Sequence, residues 1–433
     1  MLHDLDTAQF DVETAFLYGD LDEEIYMEMP AGYEKYLKEN GKGDFDPKIW
    51  CVALHKSIYG LVQAARQWWK KFKEALEKQG FKPSAADPCL FIRKGPDGLI
   101  FILIYVDDGA IFGNKRIIDQ VLADLGTQFS IKILGTVIDY VGCHLVVNKK
   151  HDTMYAVQPK LIRELKKKFG PQVKTRREAG LPAAPKFVAM RPVEGEPTID
   201  EAEQSAYRTG VGMLLYLVKH SRPDISNAVR ELTKVLGTAT MGHYKAMLRT
   251  IKYVLETEDW GLRIKPNRQN GLFTLKGLCD SDHCGDRDTR ISVYGYILTF
   301  CNAPIAWKSK SGTAVTLSST ESEYVAISEL AKVILFVKQV LESIGIEVQV
   351  PIIVGVDNVG AIYLANNYTT SQRTKHIDIR HHFVRQYIED GIIKIVFVRG
   401  EDNDADIFTK NTSSQIFVRH RNKHMGPIVG NGD

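Results

Sequence analysis

The chain has 433 residues, more than one compact core accommodates, and this length predicts two or three domains. Hydrophobic residues make up 44% and charged residues 25%, which is the composition of an ordinary folded protein. A net charge of +3 does not by itself indicate a polyanionic partner.

Nothing in the sequence indicates secretion or membrane insertion. The start, "MLHDLDTAQF", lacks the basic and apolar regions of a signal peptide. No apolar run approaches the ~20 residues that a membrane span needs. The six cysteines form no CxxC pair, which favours reduced thiols. We therefore expect an intracellular protein, cytoplasmic (in a virus-like particle) or nuclear and not secreted, with no membrane partner.

Charge is unevenly distributed along the chain. Residues 1–46 carry thirteen Asp or Glu against three Lys, whereas residues 160–177 carry eight Lys or Arg against one Glu. Such a basic run is either a solvated helix face or a surface that contacts a nucleic-acid backbone, and composition alone leaves both interpretations open.

Short strands and one clear helix, 64–80, are predicted before residue 148. Strand patterns lie at 89–93, 99–106 and 109–113, and the last two predict a β-hairpin because Asp-Gly at 108–109 is a tight-turn signal.

A basic helix is predicted at 158–169, followed by a linker rich in proline and glycine at 179–197. Helical periodicity continues over 203–256 and is interrupted at Pro223. A new domain is predicted to begin near 271.

The last segment alternates strands and helices, and its order predicts a mixed sheet in which the strand after the long helix is parallel to a neighbour. The predicted strands are 272–280, 292–300, 304–309, 351–357 and 392–400, and the predicted helices are 321–344, 358–366, 376–389 and one that opens near Asp404.

Two adjacent aspartates, Asp107 and Asp108, follow the apolar strand at 99–106. Turn chemistry alone accounts for a doubled aspartate in a hairpin. Because the strand is so apolar, however, the carboxylates are expected to be partly withdrawn from water. Two carboxylates about 4 Å apart repel by ~4 kcal/mol at an effective dielectric near 20, so the pair favours a cation, and Mg²⁺ suits oxygen ligands.

Three ordered motifs strengthen this interpretation: Asp11 with Phe16 close behind it, "KSIYGLVQAARQWW" at 56–69, and "YVDD" at 105–108. Together they resemble the palm of a reverse transcriptase, specifically that of copia-type LTR retrotransposon Pol polyproteins. The resemblance implies that Asp11 and Asp107 bind two Mg²⁺ ions, or Mn²⁺ as the alternative metal, with catalytic Asp108 beside them.

The same resemblance implies a nucleotide site. Phe16 would lie under the sugar of the incoming nucleotide, and Gly60, Gln63 and Arg66 would contact the nucleotide or the template. The residues alone favour a core position for Phe16, which lies at a strand end, and they leave a solvated helix start open for Gln63 and Arg66.

The helical stretch at 207–262 resembles the connector of the same family, although its residues show only amphipathic helices. In the family this region helps to hold the template duplex. The resemblance therefore supports a nucleic-acid contact for the basic run at 160–177.

Acidic residues also end the predicted strands of the last segment. Asp280 and Asp357 would meet at one sheet edge if their strands are parallel neighbours. Glu323 lies on the apolar stripe of the helix at 321–344, although a capping box starting at Thr320 would also explain it. Asp406 is expected to be a first-turn acid of a helix capped by the asparagine or aspartate just before it, Asn403 or Asp404.

The segments "CDSDHCGD", "LSSTESEYVAIS", "VGVDN" and "DADIFTK" resemble the ribonuclease H domain of the same polyproteins. The resemblance implies a second catalytic site for two metal ions, formed by Asp280, Glu323, Asp357 and Asp406. The histidines of "TKHIDIRHH" (374–382), with His283 nearby, raise a zinc site as an alternative, but no pair has structural-zinc spacing.

We therefore expect a multidomain α+β and α/β fold: a palm at 1–150 with the fingers largely absent, thumb and connector at 151–270, a ribonuclease H-like domain at 271–412 and a C-terminal tail at 413–433. The expected activities are RNA-directed DNA polymerase and ribonuclease H. The expected partners are an RNA template, a DNA primer, an RNA–DNA hybrid and deoxynucleoside triphosphates. The sequence does not indicate an oligomeric state.

Three departures from the family pattern indicate a diverged copy. Ala65 and Asn411 stand where the family usually has proline, and His283 stands in place of tryptophan. None of them removes a carboxylate. The alternative function is an inactive, retrotransposon-derived protein that still binds nucleic acid.

Overall fold

The computed structural model describes residues 5–96, 98–176, 178–366 and 378–430. It divides into two compact units, one covering residues 3–141 and the other running from Gly142 to the C-terminus. The expected mixed α/β multidomain class is confirmed. Among the described helices, none combines the length and the apolarity needed to cross a bilayer.

The first unit is built on a six-stranded sheet. Its strands lie in the order β4-β5-β6-β7-β1-β8, and β1 is antiparallel to both of its neighbours. The elements of the unit are β1 (Asp6–Val12), β2 (Asp20–Glu28), α1 (Tyr33–Glu39), β3 (Cys51–Lys56), α2 (Ala64–Lys78), β4 (Lys82–Pro83), β5 (Leu90–Gly95), β6 (Gly98–Tyr105), β7 (Asp108–Gly113), α3 (Lys115–Gly126), β8 (Ile131–Gly135) and β9 (Asp139–Tyr140).

The predicted helix at 64–80 and the predicted hairpin are confirmed, but the position of the turn is corrected. Tyr105 pairs with Asp108, so the turn residues are Val106 and Asp107 and not the Asp-Gly pair. Gly109 lies within β7, where an added Cβ would come 2.1 Å from the Cζ atom of Phe10. The glycine therefore makes room for a core ring. Val106 instead takes the left-handed conformation at φ 59°, which is unfavourable for a β-branched residue.

The second unit contains two sheets and two groups of helices. Its elements are β10 (Cys143–Asn148), β11 (Thr153–Val157), α4 (Pro159–Phe169), α5 (Glu201–His220), α6 (Ser226–Thr233), α7 (Met241–Glu256), β12 (Trp260–Ile264), β13 (Leu275–Asp282), β14 (Val293–Phe300), β15 (Ala303–Ser311), α8 (Ser319–Ser343), β16 (Ile352–Val356), α9 (Val359–Asn366), α10 (Asp378–Glu389), β17 (Ile393–Phe397), α11 (Asp406–Thr409), α12 (Ser414–His424) and β18 (Met425–Pro427). The helix break at Pro223 is confirmed, because residues 223–225 form a short 3-10 turn between α5 and α6.

The larger sheet of this unit has the order β15-β14-β13-β16-β17. As predicted, β13 and β16 are parallel neighbours, and β17 continues the parallel part. Helix α8 covers one face of the sheet with its buried stripe. On the other face, Leu278 and Ile297 share a core with helices α4 to α7 and with Phe408 of α11.

The remaining strands pair antiparallel in the order β10-β11-β12-β18. The segment expected to be a C-terminal tail therefore contributes the helix α12 and the edge strand β18 to the folded unit. The domain boundaries at 150, 270 and 412 stay predictions.

Candidate metal centres

The first carboxylate cluster lies where β1 meets the hairpin of β6 and β7. Asp11 is the cross-strand partner of Asp108. The Val12 amide donates a hydrogen bond of 2.9 Å to the Asp107 carbonyl, which ties the hairpin turn to β1. The structure thus brings together Asp11, Asp107 and Asp108, all of them half-buried.

The three carboxylates crowd one another at Asp11. Burial raises the pKa of its carboxyl group, and the charges of Asp107 and Asp108 raise it further. A cation bound between the carboxylates would remove this repulsion, and oxygen ligands suit Mg²⁺ or Mn²⁺.

Two side chains that sequence reasoning missed support this cluster. Gln9 is buried, and its Nε2 atom donates to Asp108 Oδ1 at 3.0 Å. The Trp68 indole N–H donates to the Val106 carbonyl at 2.5 Å and holds the strained turn. Side chains two residues apart on a strand share a face, so Gln9 lies on the face of Asp11, but only the strand register shows that it reaches Asp108.

The residues predicted to contact the nucleotide lie close to one another. The ring of half-buried Phe16 lies 4.8 Å from that of Tyr59, centroid to centroid. Gly60 follows with φ +100°, a conformation that favours glycine. Gln63 Nε2 donates to Glu23 Oε1 at 2.7 Å, and Arg66 is exposed on the first turn of α2. Their roles stay predictions.

The second cluster lies at the carboxyl ends of β13 and β16. Asp280, Glu323 and Asp357 each offer an oxygen within 4.8 Å of the others, and they form the one such group of three among the described residues. The expectation that parallel neighbours bring Asp280 and Asp357 to one sheet edge is confirmed.

Glu323 faces the sheet and does not cap its helix. The cap of α8 is Ser318, which accepts from the Glu321 amide, so the capping box at Thr320 is wrong. Glu323 is 5% exposed, and its Oε1 atom accepts hydrogen bonds from the amide and hydroxyl of Ser281 at 3.1 and 2.9 Å. Its Oε2 atom is buried and has no hydrogen-bond partner in the described part of the chain. An unpaired oxygen beside two carboxylates is what a bound cation would satisfy.

Two carboxyl groups of this cluster, those of Glu323 and Asp357, have raised pKa values. Burial, followed by the charges of Asp280 and Asp357, raises the pKa of Glu323 to about 8. Burial and Asp280 also raise the pKa of Asp357. The three residues fit a divalent cation with oxygen ligands, and Glu323 would release its proton when the cation binds.

Asp406 lies beside this group but outside the set of three. Lys410 separates it from the others: the Nζ atom lies 2.5 Å from Asp406 Oδ1 and 3.7 Å from Asp280 Oδ2. Thr409 also donates its hydroxyl to Asp280. Burial raises the pKa of Asp406 despite the opposing charge of Lys410.

Asp406 is the first residue of α11, as expected, but the predicted cap is wrong. The cap position is Ala405, without a side-chain hydrogen bond. Asn403 binds β13 through its Nδ2 atom and accepts from the Ala405 amide at 3.2 Å, and Asp404 contacts α12.

The zinc alternative is untested at its main positions, because residues 374–377 and the side chain of His381 lie outside the described residues. His283 contacts two hydroxyl groups and the Cys284 thiol, whose Sγ atom lies 3.5 Å from the His283 Nε2 atom. Its Nδ1 atom lies 3.2 Å from Thr316 Oγ1 and 3.4 Å from Ser292 Oγ.

Comparison with known proteins identifies similar chains. The reverse transcriptase (RNA-dependent DNA polymerase) family matches residues 3–170. The retrovirus-related Pol polyprotein from transposon TNT 1-94 of Nicotiana tabacum is 34% identical over 94% of this chain and 30% of its own length. The corresponding polyprotein from transposon RE1 of Arabidopsis thaliana is 31% identical over 96% of this chain and 27% of its own length. This chain thus spans less than a third of either relative.

Among solved structures, LC11-RNase H1, isolated from compost, is 14% identical with a TM-score of 0.25. The similarity covers 31% of this chain and 91% of that chain.

Proposed function

This chain belongs to the reverse transcriptase family of copia-type transposon Pol polyproteins, and from that premise we propose that it is an RNA-directed DNA polymerase with ribonuclease H activity. The observation that carries the nuclease half is the group of Asp280, Glu323 and Asp357, with one glutamate oxygen buried and unpaired in the described part of the chain. The polymerase half is supported by the register that places Asp11 opposite Asp108.

In the nuclease site, Asp280 and Asp357 would hold the metal pair from the sheet edge, Glu323 from helix α8 and Asp406 from α11. When bound, a pair of divalent ions activates a water for attack on the phosphodiester and stabilises the leaving oxygen. The Thr409 hydroxyl orients Asp280, and Lys410 balances the charge of Asp280 and Asp406 in the metal-free protein. The substrate would be the RNA strand of an RNA–DNA hybrid.

In the polymerase site, Asp11 and Asp107 would hold the metal pair, with Asp108 fixed beside them by Gln9. Phe16, with Tyr59 against its ring, would contact the sugar of the incoming deoxynucleoside triphosphate. Gly60, Gln63 and Arg66 would contact the nucleotide or the template, and the primer 3′-hydroxyl would attack the α-phosphate with loss of pyrophosphate.

The test is to assay the purified chain, with Mg²⁺ or Mn²⁺, for cleavage of a labelled RNA–DNA hybrid and for primer extension. Asp357→Asn should abolish cleavage and spare extension, whereas Asp11→Asn should do the reverse. Asp390→Asn, an exposed aspartate at the end of α10, is the matched control and should change neither. Cleavage that survives Asp357→Asn would refute the nuclease assignment, and extension that survives Asp11→Asn would refute the polymerase assignment.

The second candidate is an inactive protein that binds nucleic acid. Its support is the exposed basic surface of α4, which carries Lys167 and Lys168. Salt-sensitive duplex binding without cleavage or extension in the same assays would select this candidate.

A further inference from the structure

The C-terminal helix α12 contacts the segment that leads into Asp406 through a buried group, the Asp404 cluster, which comprises Asp404, His420, Lys423 and His424. Asp404 Oδ1 lies 2.7 Å from His420 Nδ1 and 2.5 Å from Lys423 Nζ, and Asp404 Oδ2 lies 3.0 Å from His424 Nε2. The Asp404 side chain is 7% exposed, and those of His420 and His424 are 0% and 8% exposed. Three donors thus converge on one buried carboxylate.

The buried carboxylate of Asp404 depends on these donors for its hydrogen bonds. If both histidines were removed, only Lys423 of the three donors would remain, and the chain around Asp404 would have to move toward water.

Helix α12 is itself fixed by contacts that do not involve Asp404. The Phe417 ring lies 5.8 Å from that of Tyr253, and the Arg421 guanidinium lies 4.2 Å from the Trp260 ring. Arg263 donates to the Asn422 carbonyl at 2.9 Å, and the strand that follows the helix pairs with β12. Helix α12 is therefore held in place independently of the contacts that its histidines make with Asp404.

The segment held by this helix carries a predicted metal ligand. Asn403 Nδ2 donates to the carbonyl of Cys279, the residue before Asp280, at 2.8 Å. The Asp406 amide donates to the Asn403 carbonyl at 3.1 Å. Asp404 follows Asn403 in this segment and precedes Asp406 by two residues.

Helix α11 has four residues and no side-chain cap, so its position depends on tertiary contacts. Its own Phe408 packs in the core and its Thr409 donates to Asp280, whereas the Asp404 cluster holds the segment on the N-terminal side of Asp406.

We propose that α12 completes the nuclease site, with His420 and His424 acting as positioning residues that fix Asp406 through Asp404. This inference rests on the proposed nuclease function, because Asp406 matters only where it helps to hold metal. It assigns a role to a segment that lies after the last predicted catalytic residue. It also predicts that metal affinity, and not only folding, depends on two histidines that do not contact the metal.

The test measures Mn²⁺ binding to the full-length chain by titration calorimetry, in an Asp11→Asn background so that the first cluster does not obscure the signal. We expect His420→Leu/His424→Leu to raise the half-saturating Mn²⁺ concentration ~10- to 100-fold, the usual effect of removing an outer-shell partner. His420→Asn/His424→Gln keeps an N–H near each histidine donor atom and should bind Mn²⁺ within about twofold of the parent. Arg419→Gln changes an exposed residue of the same helix that pairs with Asp402 and Glu401, and should have no effect.

Circular dichroism and thermal unfolding check that each variant is folded. If the leucine variant does not fold, Asp404→Asn replaces it, because the amide keeps the shape of the carboxylate while removing its charge. Unchanged Mn²⁺ binding in a folded leucine variant, or in Asp404→Asn, would overturn the inference even if the parent cleaves hybrid. Weakened Mn²⁺ binding in a chain that cleaves no hybrid would support the positioning role and refute the nuclease function instead.

Discussion

Replacing Glu323 with glutamine should stabilise the metal-free protein above neutral pH. Glu323 is buried beside Asp280 and Asp357, and these surroundings raise its pKa from 4.5 to about 8. Glutamine has nearly the same shape and can still accept from Ser281, but it adds no charge to the group. The substitution therefore removes the repulsion and keeps the packing.

The sign and the size of this stability change follow from the linkage between proton binding and folding. Below pH 4.5, Glu323 is protonated in both the folded and the unfolded chain and has no effect on stability. Between pH 4.5 and about 8, the unfolded chain loses the proton while the folded chain keeps it, so the free energy of unfolding falls as pH rises. At 1.36 kcal/mol per pKa unit, the loss approaches an upper limit of about 5 kcal/mol above pH 8. Above pH 8, the free energy of unfolding of Glu323→Gln should exceed that of wild type by up to that amount.

The assay is urea unfolding in EDTA from pH 4.5 to 9, with hydrogen exchange of β13 and α8 peptides reporting on this part of the chain. Glu342→Gln, near the exposed end of the same helix, is the control and should change stability by less than about 1 kcal/mol. In Mg²⁺, wild type should become the more stable of the two proteins, because it keeps the third carboxylate ligand and Glu323→Gln does not. A Glu323→Gln variant no more stable than wild type at pH 8.5 in EDTA would refute the reasoning.

Three further changes test the packing and the surface. Arg222→Met should destabilise the second unit by ~3–5 kcal/mol in urea unfolding, because the buried charge of Asp224 loses its two-point partner, whose NH2 atom lies 2.8 Å from Oδ2. Gly109→Ala should cost the first unit ~1–3 kcal/mol and abolish primer extension, because the new Cβ displaces the Phe10 ring beneath the hairpin. Lys167→Gln should lower the slope of log affinity against log salt for duplex DNA by about 0.9, measured by fluorescence anisotropy, if its ammonium contacts one phosphate.

Each of these changes has a matched comparison. Adding Asp224→Leu to Arg222→Met should recover most of the stability, and a double variant as unstable as the single one would contradict the ion-pair argument. Gly95→Ala has open space around its Cβ and should be nearly neutral. Glu164→Gln, an acidic position on α4, should leave the salt slope unchanged, and an equal drop in both variants would contradict a specific lysine contact.

The positions of the sheet-edge carboxylates could be predicted from the sequence, because the strand and helix patterns agree with the topology of the sheet. Two antiparallel strands and one long helix separate the apolar strands that end at Asp280 and Asp357. The two hairpin turns return the chain to the direction of β13, and the helical crossover keeps that direction for β16. Both carboxylates then emerge at the same edge, as observed. For Glu323 the apolar stripe of its helix indicated a position facing the sheet, but a helix cap remained open as the alternative. The resemblance to the ribonuclease H domain assigned it to the site.

Contacts between segments distant in the sequence could not be predicted. The sequence gives no sign that Asp404 meets His420 and His424, because the pairing depends on how α12 packs after the chain turns. The hairpin turn was misplaced for a related reason. Asp-Gly is a turn signal in isolation, but Gly109 is within β7 and leaves room for the Phe10 ring, and the turn lies at Val106 and Asp107.

The two carboxylate clusters differ in how far water relieves their crowding, and this difference has a consequence for metal dependence. Asp11, Asp107 and Asp108 are half-buried where β1 meets the hairpin of β6 and β7, so solvent screens much of their repulsion. Asp280 and Glu323 are buried, and one glutamate oxygen has no partner in the described part of the chain. Removing divalent ions should therefore destabilise β13 and α8 more than β1 and β7, and hydrogen exchange with and without EDTA measures both in one sample. If both regions lost the same protection from hydrogen exchange, burial of the carboxylates would not determine how strongly metal removal destabilises each cluster.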